Sequence, residues 1–393
     1  MKQIRVALFT DTFLPEINGV ATSTASLQTA LKNRGHYCVV VTSNPFSNKV
    51  TFEDDVLRLP GIELKKLYGY HLASFYNRKA MKILESLNLD LVHIQTEATV
   101  GLFAKSVIRR LKLPYVYTYH TMYEDYTYYA TKGHFDLLAK SIIKEWSRAK
   151  AEAANSFVSP SEKTKDAMRE YGVNRYINVI PTGIDLARFR QENIDMDVVA
   201  ELKKKYKIED TLNLIYLGRI AEEKSIDVVI KGYANFLKTN RSTPSRLLIV
   251  GKGPQTLELK QLTSDLGIND NVIFVGPVPP SEVPIYYQLG DIFVSASISE
   301  TQGLTFMEAM AADRLLLCCY DDNLKDVIID GKTGFFFDNE QHFPTVLEKI
   351  IKLPKEEIDK ILDEAFLVAD EYSLERFGER MERVYIKTLR NNW

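Results

Sequence analysis

The clearest candidates for chemistry in this chain of 393 residues are two cations in one short polar segment. Arg219 and Lys224 belong to residues 217–224, which follow an apolar run and precede a helical pattern. Proteins bind phosphate with the backbone N–H groups at the start of a helix, assisted by Arg or Lys. The two cations could therefore hold a diphosphate. Alternatively, both are solvated side chains of an ordinary loop between a strand and a helix.

A second segment, residues 299–308, is a polar loop that opens an apolar helix at Gly303. Glu300 and Glu308 stand near its two ends. Free amides at the helix start would attract an anion, and carboxylates accept hydrogen bonds from the hydroxyls of a sugar or ribose. As alternatives, Glu308 caps the helix and Glu300 is a solvated loop residue.

His120 ends another apolar run and opens a tyrosine-rich segment that includes Tyr126. The carboxyl ends of parallel strands are where ligands bind in sheets of this kind, so His120 is a candidate for a cleft. Tyrosines supply flat apolar surface together with hydroxyl groups. The alternatives are a loop histidine with satisfied hydrogen bonds and tyrosines that serve packing.

Two glycine-containing turns are further candidates for ligand sites. Gly19, in residues 17–20, permits close approach of the backbone, although one glycine in such a turn is weak support. Residues 251–254 contain two glycines but lack the third glycine and the spacing of a dinucleotide-binding fingerprint. We therefore exclude nicotinamide binding.

Composition excludes several other classes of protein. The net charge of −2 argues against a dedicated nucleic-acid binder, which needs a basic surplus. Residues 1–9 lack the features of a signal peptide, and no apolar run is long enough to cross a bilayer. The sequence thus predicts a cytoplasmic protein.

The sequence also predicts no metal site. Asp195 and Asp197 have a spacing used by some metal-binding carboxylates, but they lie in a polar stretch that does not follow a strand. No His or Cys spacing is typical of zinc. We interpret the three cysteines as reduced core thiols, because two of them are neighbours in an apolar run.

The pattern of two stretches predicts basic amphipathic helices, which could bind a membrane surface. Residues 101–150 hold nine basic and four acidic residues, and this surplus would favour an anionic leaflet. Ordinary surface helices are the alternative. The cations in question recur at helical spacing: Lys105, Arg109 and Lys112 in the first stretch, and Lys140, Lys144 and Arg148 in the second.

The elements that must position these residues alternate between apolar runs and helical patterns in two successive series. Such alternation predicts two doubly wound α/β domains, each with a parallel sheet covered on both faces. We expect a first domain over residues 1–185, a polar linker over 186–210 and a second domain over 211–371. A final helix over 372–393 is expected to fold back on the first domain.

Several motifs in this order resemble glycosyltransferase family 4, whose members are retaining enzymes of the GT-B architecture. Glu300 and Glu308, with seven residues between them, match the paired-glutamate signature, and Gly218-Arg219 with Glu223-Lys224 is a second match. Residues 18–20, 181–185 and 330–335 fall where the family has similar runs. One departure follows Ala312, where the family usually has a glycine and then a proline, so we expect a turn of different shape at Asp313.

The resemblance implies two Rossmann-like domains that face each other across a cleft, and it implies a role for each candidate. Arg219 and Lys224 would neutralise the donor diphosphate, assisted by the amides near Gly303 and Leu304. Glu308 would bind the ribose, whereas Glu300 would hold the transferred sugar. His120 would face that sugar, and Gly19 would let the first domain approach the diphosphate.

The segments around His120 and Gly303 are most similar to those of bacterial diacylglycerol glucosyltransferases. This similarity implies transfer of glucose from UDP-glucose to diacylglycerol, without a metal or a tightly bound cofactor, by a peripheral protein on the inner face of the cell membrane. Its partners would be a nucleotide sugar, a lipid acceptor and an anionic membrane surface. Two alternatives stay open: the same donor chemistry on a polyprenyl-linked saccharide or soluble metabolite, and a non-catalytic protein that binds sugar nucleotides.

Overall fold

A computed structural model of the chain shows two compact units. One consists of Met1–Gly183 together with Leu374–Trp393, and the other is Ile184–Ser373. For residues 62–64, 70–72 and 136–142 only the backbone is described. The described residues are 2–16, 18–64, 70–120, 136–297, 303–321, 324–325 and 327–391.

The first unit is built on a sheet of eight strands in its described part, in the order β10-β9-β8-β7-β1-β2-β4-β3. All neighbours are parallel except β3 and β4. A separate antiparallel pair is formed by β5 and β6. The strands are β1 (Arg5–Phe9), β2 (Tyr37–Ser43), β3 (Thr51–Glu53), β4 (Val56–Leu59), β5 (Gly61–Leu64), β6 (Tyr70–Ala73), β7 (Leu91–Ile94), β8 (Tyr115–Thr118), β9 (Ser156–Ser159) and β10 (Ile177–Val179).

Helices cover both faces of this sheet. Along β1, Val6 and Leu8 join the core that contains α1 and α13, whereas Ala7 and Phe9 join the core on the opposite face. Apolar side chains on both faces of a strand are expected where a parallel sheet lies between two helical layers. The helices of this unit are α1 (Gly19–Asn33), α2 (Arg78–Ser86), α3 (Thr99–Leu111), α4 (Asp136–Ala153), α5 (Glu162–Glu170) and α13 (Leu374–Arg390).

The second unit repeats this design with a parallel sheet in the order β13-β12-β11-β14-β15-β16. Ile215 and Leu217 face one core, and Leu214 and Tyr216 face the other. The strands are β11 (Leu212–Leu217), β12 (Ser245–Val250), β13 (Val272–Gly276), β14 (Ile292–Ser295), β15 (Leu315–Cys319) and β16 (Phe335–Phe337). The helices are α6 (Met196–Tyr206), α7 (Ile226–Thr239), α8 (Thr256–Asp265), α9 (Val283–Tyr287), α10 (Leu304–Ala311), α11 (Phe343–Ile351) and α12 (Lys355–Asp370).

The prediction of two doubly wound α/β domains is confirmed. Residues 186–210, for which the sequence predicts a linker, contain α6 and two 3₁₀ turns, Leu186–Phe189 and Gln191–Asn193. Leu186, Phe189 and Val199 contribute to the core of the second unit. These isolated apolar side chains are buried there although the stretch is polar on average.

Local capping accounts for three boundaries of helices. The sequence pattern predicts a helix from about Thr22. Helix α1 begins three residues earlier, at Gly19, because the Asn18 side chain accepts a hydrogen bond from the amide of Ala21 at 2.9 Å. The Asp195 side chain caps α6 in the same way. At Asp313 the backbone is left-handed, with φ of 57°, so this residue ends α10 where the family usually has glycine.

No helix in the described part of the chain is both long and apolar enough to span a membrane.

Candidate active site

The loop after β11 carries both predicted cations of the second unit. Arg219 has a side chain that is 68% exposed, and its Nη2 lies 2.7 Å from Oε1 of Glu223. The carbonyl of Arg219 accepts a hydrogen bond from the hydroxyl of Tyr216 at 2.8 Å, which holds the loop against its own strand. Lys224 ends a 3₁₀ turn in the same loop, two residues before α7 begins. The cations thus lie on one loop at the carboxyl edge of the sheet.

Glycines set the conformation of this loop by allowing it to lie against the loop after β12. A Cβ atom on Gly251 would come within 1.8 Å of the carbonyl oxygen of Gly218. One on Gly253 would come within 1.9 Å of the carbonyl oxygen of Ile220. The amide of Ile220 donates to the carbonyl of Lys252 at 3.0 Å. Gly251 and Gly253, which do not form a dinucleotide-binding fingerprint, therefore position the Arg219 loop.

Helix α10 begins next to Gly303, whose φ is 60°. Its first amides, starting at Leu304, have no carbonyl partner from a preceding turn of the helix. A Cβ atom at Gly303 would come within 2.8 Å of the Phe306 ring, so a side chain there would disturb both the turn and its packing. Glu300 lies outside the described residues.

Glu308 is partly buried in the second turn of α10 and does not cap the helix. Its Oε2 accepts a hydrogen bond from the hydroxyl of Tyr287 at 2.9 Å. Burial raises the pKa of Glu308 to about 7, while the bond from Tyr287 and the charge of Arg188 oppose this rise. Near neutral pH this carboxyl group can therefore both accept and donate hydrogen bonds.

Arg188 was not identified from the sequence. It belongs to the 3₁₀ turn Leu186–Phe189, and its guanidinium donates to the carbonyl of Pro280 as well as acting on Glu308. No motif indicates this, because 120 positions separate Arg188 from Glu308 along the chain.

In the first unit, His120 follows β8 and is partly buried. Its Nε2 lies 2.6 Å from Oε1 of Gln95, which follows β7. Burial lowers the pKa of His120 to about 4, so the imidazole is neutral at neutral pH. Tyr126 lies outside the described residues.

Asp11, at the end of β1, is a second residue that sequence reasoning did not select. Its Oδ1 accepts from the hydroxyl of Thr99 at 3.1 Å and the amide of Val100 at 2.9 Å. Its Oδ2 accepts from the hydroxyl of Thr96 at 2.6 Å and the amide of Ala98 at 3.0 Å. A buried carboxylate thus caps α3 from another strand.

Gly19 opens α1 at this same edge of the sheet. A Cβ atom on it would meet nothing within 4 Å, so internal packing of the described residues does not require glycine there.

The basic side chains predicted to contact a membrane have different environments in the structure. Arg109 and Lys112 are exposed near the end of α3, and Arg148 is 44% exposed on α4. Trp146, on the same helix, is 41% exposed. Lys144 is partly buried, with its Nζ 5.4 Å from the centre of the Tyr171 ring.

The side chain of Lys140 lies outside the described structure. Lys105 lines a small cavity with Glu97 and Lys150, whose Oε2 and Nζ are 2.5 Å apart. Burial raises the pKa of Glu97 to about 7 and lowers that of Lys150 to about 8. The environment of Lys105 is therefore partly internal and differs from that of Arg109.

No cluster of three or more His, Cys, Asp or Glu side chains suited to a metal occurs among the described residues. The Asp195 carboxylate accepts from the amides of Asp197 and Val198 at 3.1 and 3.3 Å, which accounts for its position.

Models of two protein families match the chain. One, described as Glycosyltransferase Family 4, matches residues 17–188, and another, described as Glycosyl transferases group 1, matches residues 198–365. The chain is 34% identical over 392 residues to an alpha-monoglucosyldiacylglycerol synthase of Streptococcus pneumoniae, covering 99% of this chain and 87% of that protein. It is 32% identical over 395 residues to the protein of the same name from Acholeplasma laidlawii, covering 99% and 98%.

Solved structures share the fold at low sequence identity. A glycosyltransferase from Rickettsia africae superposes with a TM-score of 0.71 at 16% identity, with both chains covered completely. Anabaena HepE in complex with UDP also gives 0.71, at 15% identity, covering 98% of this chain and all of the other.

Proposed function

Since the chain belongs to glycosyltransferase family 4, we propose that it is a retaining enzyme that transfers glucose from UDP-glucose to diacylglycerol, giving α-monoglucosyldiacylglycerol. One observation carries this proposal: the similarity to two alpha-monoglucosyldiacylglycerol synthases extends over nearly the whole chain. Both the part that would bind the donor and the part that would bind the acceptor are included in that match.

The second unit would bind the nucleotide sugar. Departure of the leaving group builds negative charge on the diphosphate, and fixed cations or helix-end amides lower the barrier to that step. Arg219 is exposed and is paired with Glu223 in its own loop, so it can exchange Glu223 for a phosphate oxygen. Lys224 and the amides at Gly303 and Leu304 would complete the diphosphate site, without any need for a metal.

The sugar and the ribose would be held by hydroxyl-binding groups. Glu308, with its oxygen already oriented by Tyr287, would accept hydrogen bonds from the ribose hydroxyls. Glu300 would hold the transferred glucose, and His120 would face it from the first unit. Gly19 would leave room for the diphosphate, in keeping with the open space around its Cα.

Retention would follow if the acceptor hydroxyl attacks the face that the diphosphate leaves. The leaving phosphate oxygen would then take the acceptor proton. No covalent enzyme intermediate is needed for this route.

The first unit would bind the acceptor at an anionic membrane on the cytoplasmic side. Exposed cations on α3 and α4 support this part of the proposal, as does Trp146, because exposed tryptophan suits the membrane–water interface. Each cation near an anionic leaflet contributes about 1 kcal/mol to binding.

The decisive assay gives the purified full-length chain UDP-[¹⁴C]glucose and vesicles of phosphatidylglycerol with dioleoylglycerol. We expect a labelled lipid with an α linkage. Release of UDP without labelled lipid would overturn diacylglycerol as the acceptor but would be consistent with UDP-glucose as the donor. Labelling from GDP-mannose but not from UDP-glucose would overturn the donor, and no turnover of any sugar nucleotide would overturn catalysis.

Membrane binding is tested separately by vesicle sedimentation. Arg109→Gln with Lys112→Gln removes two exposed charges at the end of α3 and should weaken binding about 30-fold. Lys204→Gln with Lys205→Gln, a pair of charges at the end of α6 in the second unit, is the matched control and should have no effect. Equal weakening by both pairs would contradict a specific surface on the first unit.

A further inference from the structure

Gln95 is a buried polar residue whose side chain reaches the candidate histidine. Only 3% of Gln95 is exposed, and its Oε1 lies 2.6 Å from Nε2 of His120. The two residues are 25 positions apart and follow adjacent strands, β7 and β8. An amide at this position therefore acts directly on the imidazole.

The backbone around Gln95 is fixed on both sides. Its amide donates to the carbonyl of Phe9 on β1 at 2.8 Å. The next residue, Thr96, exchanges hydrogen bonds with Asp11: its hydroxyl donates to the carboxylate and accepts from the Asp11 amide, each at 2.6 Å. His120 is held similarly, since the preceding amide of Tyr119 donates to Val158 at 3.1 Å. The contact between Gln95 and His120 thus joins two rigid strand ends.

Hydrogen bonds within the described structure use only the oxygen end of this amide. The Nε2 atom of Gln95 is buried and has no hydrogen-bond partner among the described residues. A buried amide group without a partner destabilises a protein, and an apolar side chain of similar size would avoid that cost. The side chain is better explained by the action of its oxygen on His120.

A nearby histidine shows the contrasting arrangement. His93, two residues before Gln95, is fully buried, and both of its ring nitrogens are engaged: Nδ1 with the hydroxyl of Tyr385 and Nε2 with that of Thr118, each at 2.7 Å. His93 is therefore committed to the fold. His120 has a partner on Nε2, while its Nδ1 has none in the described structure.

We propose that Gln95 is a positioning residue that holds His120 as the neutral tautomer with hydrogen on Nε2, leaving Nδ1 as the acceptor for a hydroxyl of the donor sugar. An amide oxygen can only accept, so the nitrogen facing it must carry the hydrogen. Unlike a carboxylate, the amide brings no charge that would favour the imidazolium. This inference rests on the proposed function, in which His120 faces the sugar.

The tautomer is measured without reference to activity. Long-range ¹H–¹⁵N spectra of the full-length chain with ¹⁵N-histidine distinguish the two neutral forms, and His120→Asn identifies the signal. We expect the Nε2–H form in the wild type, a mixture in Gln95→Leu, and a higher pKa of His120 in Gln95→Glu. The signals of His36 and His342 should not change. An Nδ1–H form in the wild type, or an unchanged tautomer in Gln95→Leu, would overturn the proposal even if the chain is an active transferase.

Kinetics test the consequence for the reaction. In Gln95→Leu we expect kcat to fall about 10- to 100-fold with little change in KM for UDP-glucose, because acid–base and orienting groups act mainly in the transition state. The urea midpoint of this variant should change little, because loss of the hydrogen bond to His120 is offset by removal of the unpartnered end of the Gln95 amide. Gln288→Leu is the control for loss of a buried glutamine, since Gln288 donates to the carbonyls of Phe189 and Ala312 and its loss should lower that midpoint. A fall in midpoint for Gln95→Leu matching that of Gln288→Leu, with kcat unchanged, would mean a structural role and would overturn the assignment.

Discussion

The two units have similar sheets but differ in whether the polar groups at their strand ends are buried or exposed. In the first unit these groups are buried and paired: Asp11 is 9% exposed and Gln95 3%. In the second unit the strand-end loop presents Arg219 and Glu223, whose side chains are 68% and 41% exposed. The fold fixes the position of a buried group, whereas an exposed ion pair contributes little to stability and can be replaced by a ligand.

The titratable candidates complete the comparison. Burial favours the neutral form of each, so it lowers the pKa of His120 to about 4 and raises that of Glu308 to about 7. His120 is therefore neutral throughout the physiological range of pH, whereas Glu308 changes its charge within that range. The four predictions below test how far this contrast extends to stability and activity.

The largest effect should come from the exposed cation. Arg219→Ala is expected to lower kcat/KM about 100- to 1,000-fold, because a fixed charge is lost from the developing diphosphate. The free energy of unfolding should change by less than about 0.5 kcal/mol, as for other exposed pairs. Steady-state kinetics and urea titration measure the two quantities. Glu223→Ala, which removes the partner instead, should keep its activity. A loss of activity as large as that of Arg219→Ala would mean that the ion pair has a structural role and would contradict this prediction.

Asp11→Ala should show the reverse pattern, with stability affected most directly. Removing the carboxylate leaves the amides of Ala98 and Val100 without their partner, which should cost about 3 kcal/mol. Asp195→Ala removes an exposed cap on α6 and should cost about 1 kcal/mol. Urea unfolding of both variants checks the ratio. Equal costs would show that burial of the cap is unimportant.

His93 makes the stability of the first unit depend on pH. Burial, and to a lesser degree the nearby His120, lower the pKa of His93 to about 3. In the unfolded chain this side chain binds a proton near pH 6.5, whereas in the folded chain it does not, so stability is lost as the pH falls below that value. By pH 5 the loss should be about 2 kcal/mol relative to pH 8.

The measurement compares unfolding free energies of the wild type and His93→Gln at the two pH values. The variant should be less stable at pH 8 but lose less on acidification. His342→Gln replaces a histidine whose side chain is 40% exposed and is the control for loss of a surface histidine. Parallel curves for wild type and His93→Gln would contradict a neutral buried His93.

The smallest effect concerns Glu308. Its ionised form is the better acceptor for ribose hydroxyls, so affinity for UDP should be full above pH 7 and fall about threefold to tenfold at lower pH. Tyr287→Phe removes a hydrogen bond that lowers this pKa, and should move the midpoint to higher pH. Calorimetric titration of UDP between about pH 5.5 and 8.5 checks both. Glu308→Gln should bind weakly without this pH dependence; if the dependence persists, another group is responsible.

Much of the fold follows from local pattern. The apolar runs 212–217, 292–295 and 335–337 predict strands, and β11, β14 and β16 have these same bounds, because each is a short apolar run between polar loops. The edge strand β3 was not predicted: it depends on a turn at Asp54 and Asp55, both with positive φ, which composition alone does not indicate. The start of α1 was missed by three residues, since an asparagine cap is a single side-chain contact.

In the candidate site, too, features defined by neighbouring residues could be predicted, whereas contacts between distant residues could not. The Arg219 loop and the helix start at Gly303 could be predicted from the sequence, because the residues that define each are neighbours in the chain. Gln95, Arg188 and Asp11 were not, since their partners lie 25, 120 and up to 89 positions away. Contacts over such separations leave no periodic signal.

By itself, the sequence determined the order of strands and helices, the two series they form and the loops that carry charged residues, since these depend on neighbours within a few positions. Only the tertiary structure decided which of those groups are buried, and therefore which are neutral, which are paired and which remain open to a ligand. Burial depends on what several distant segments bring around one side chain, and that is settled when the sheets assemble.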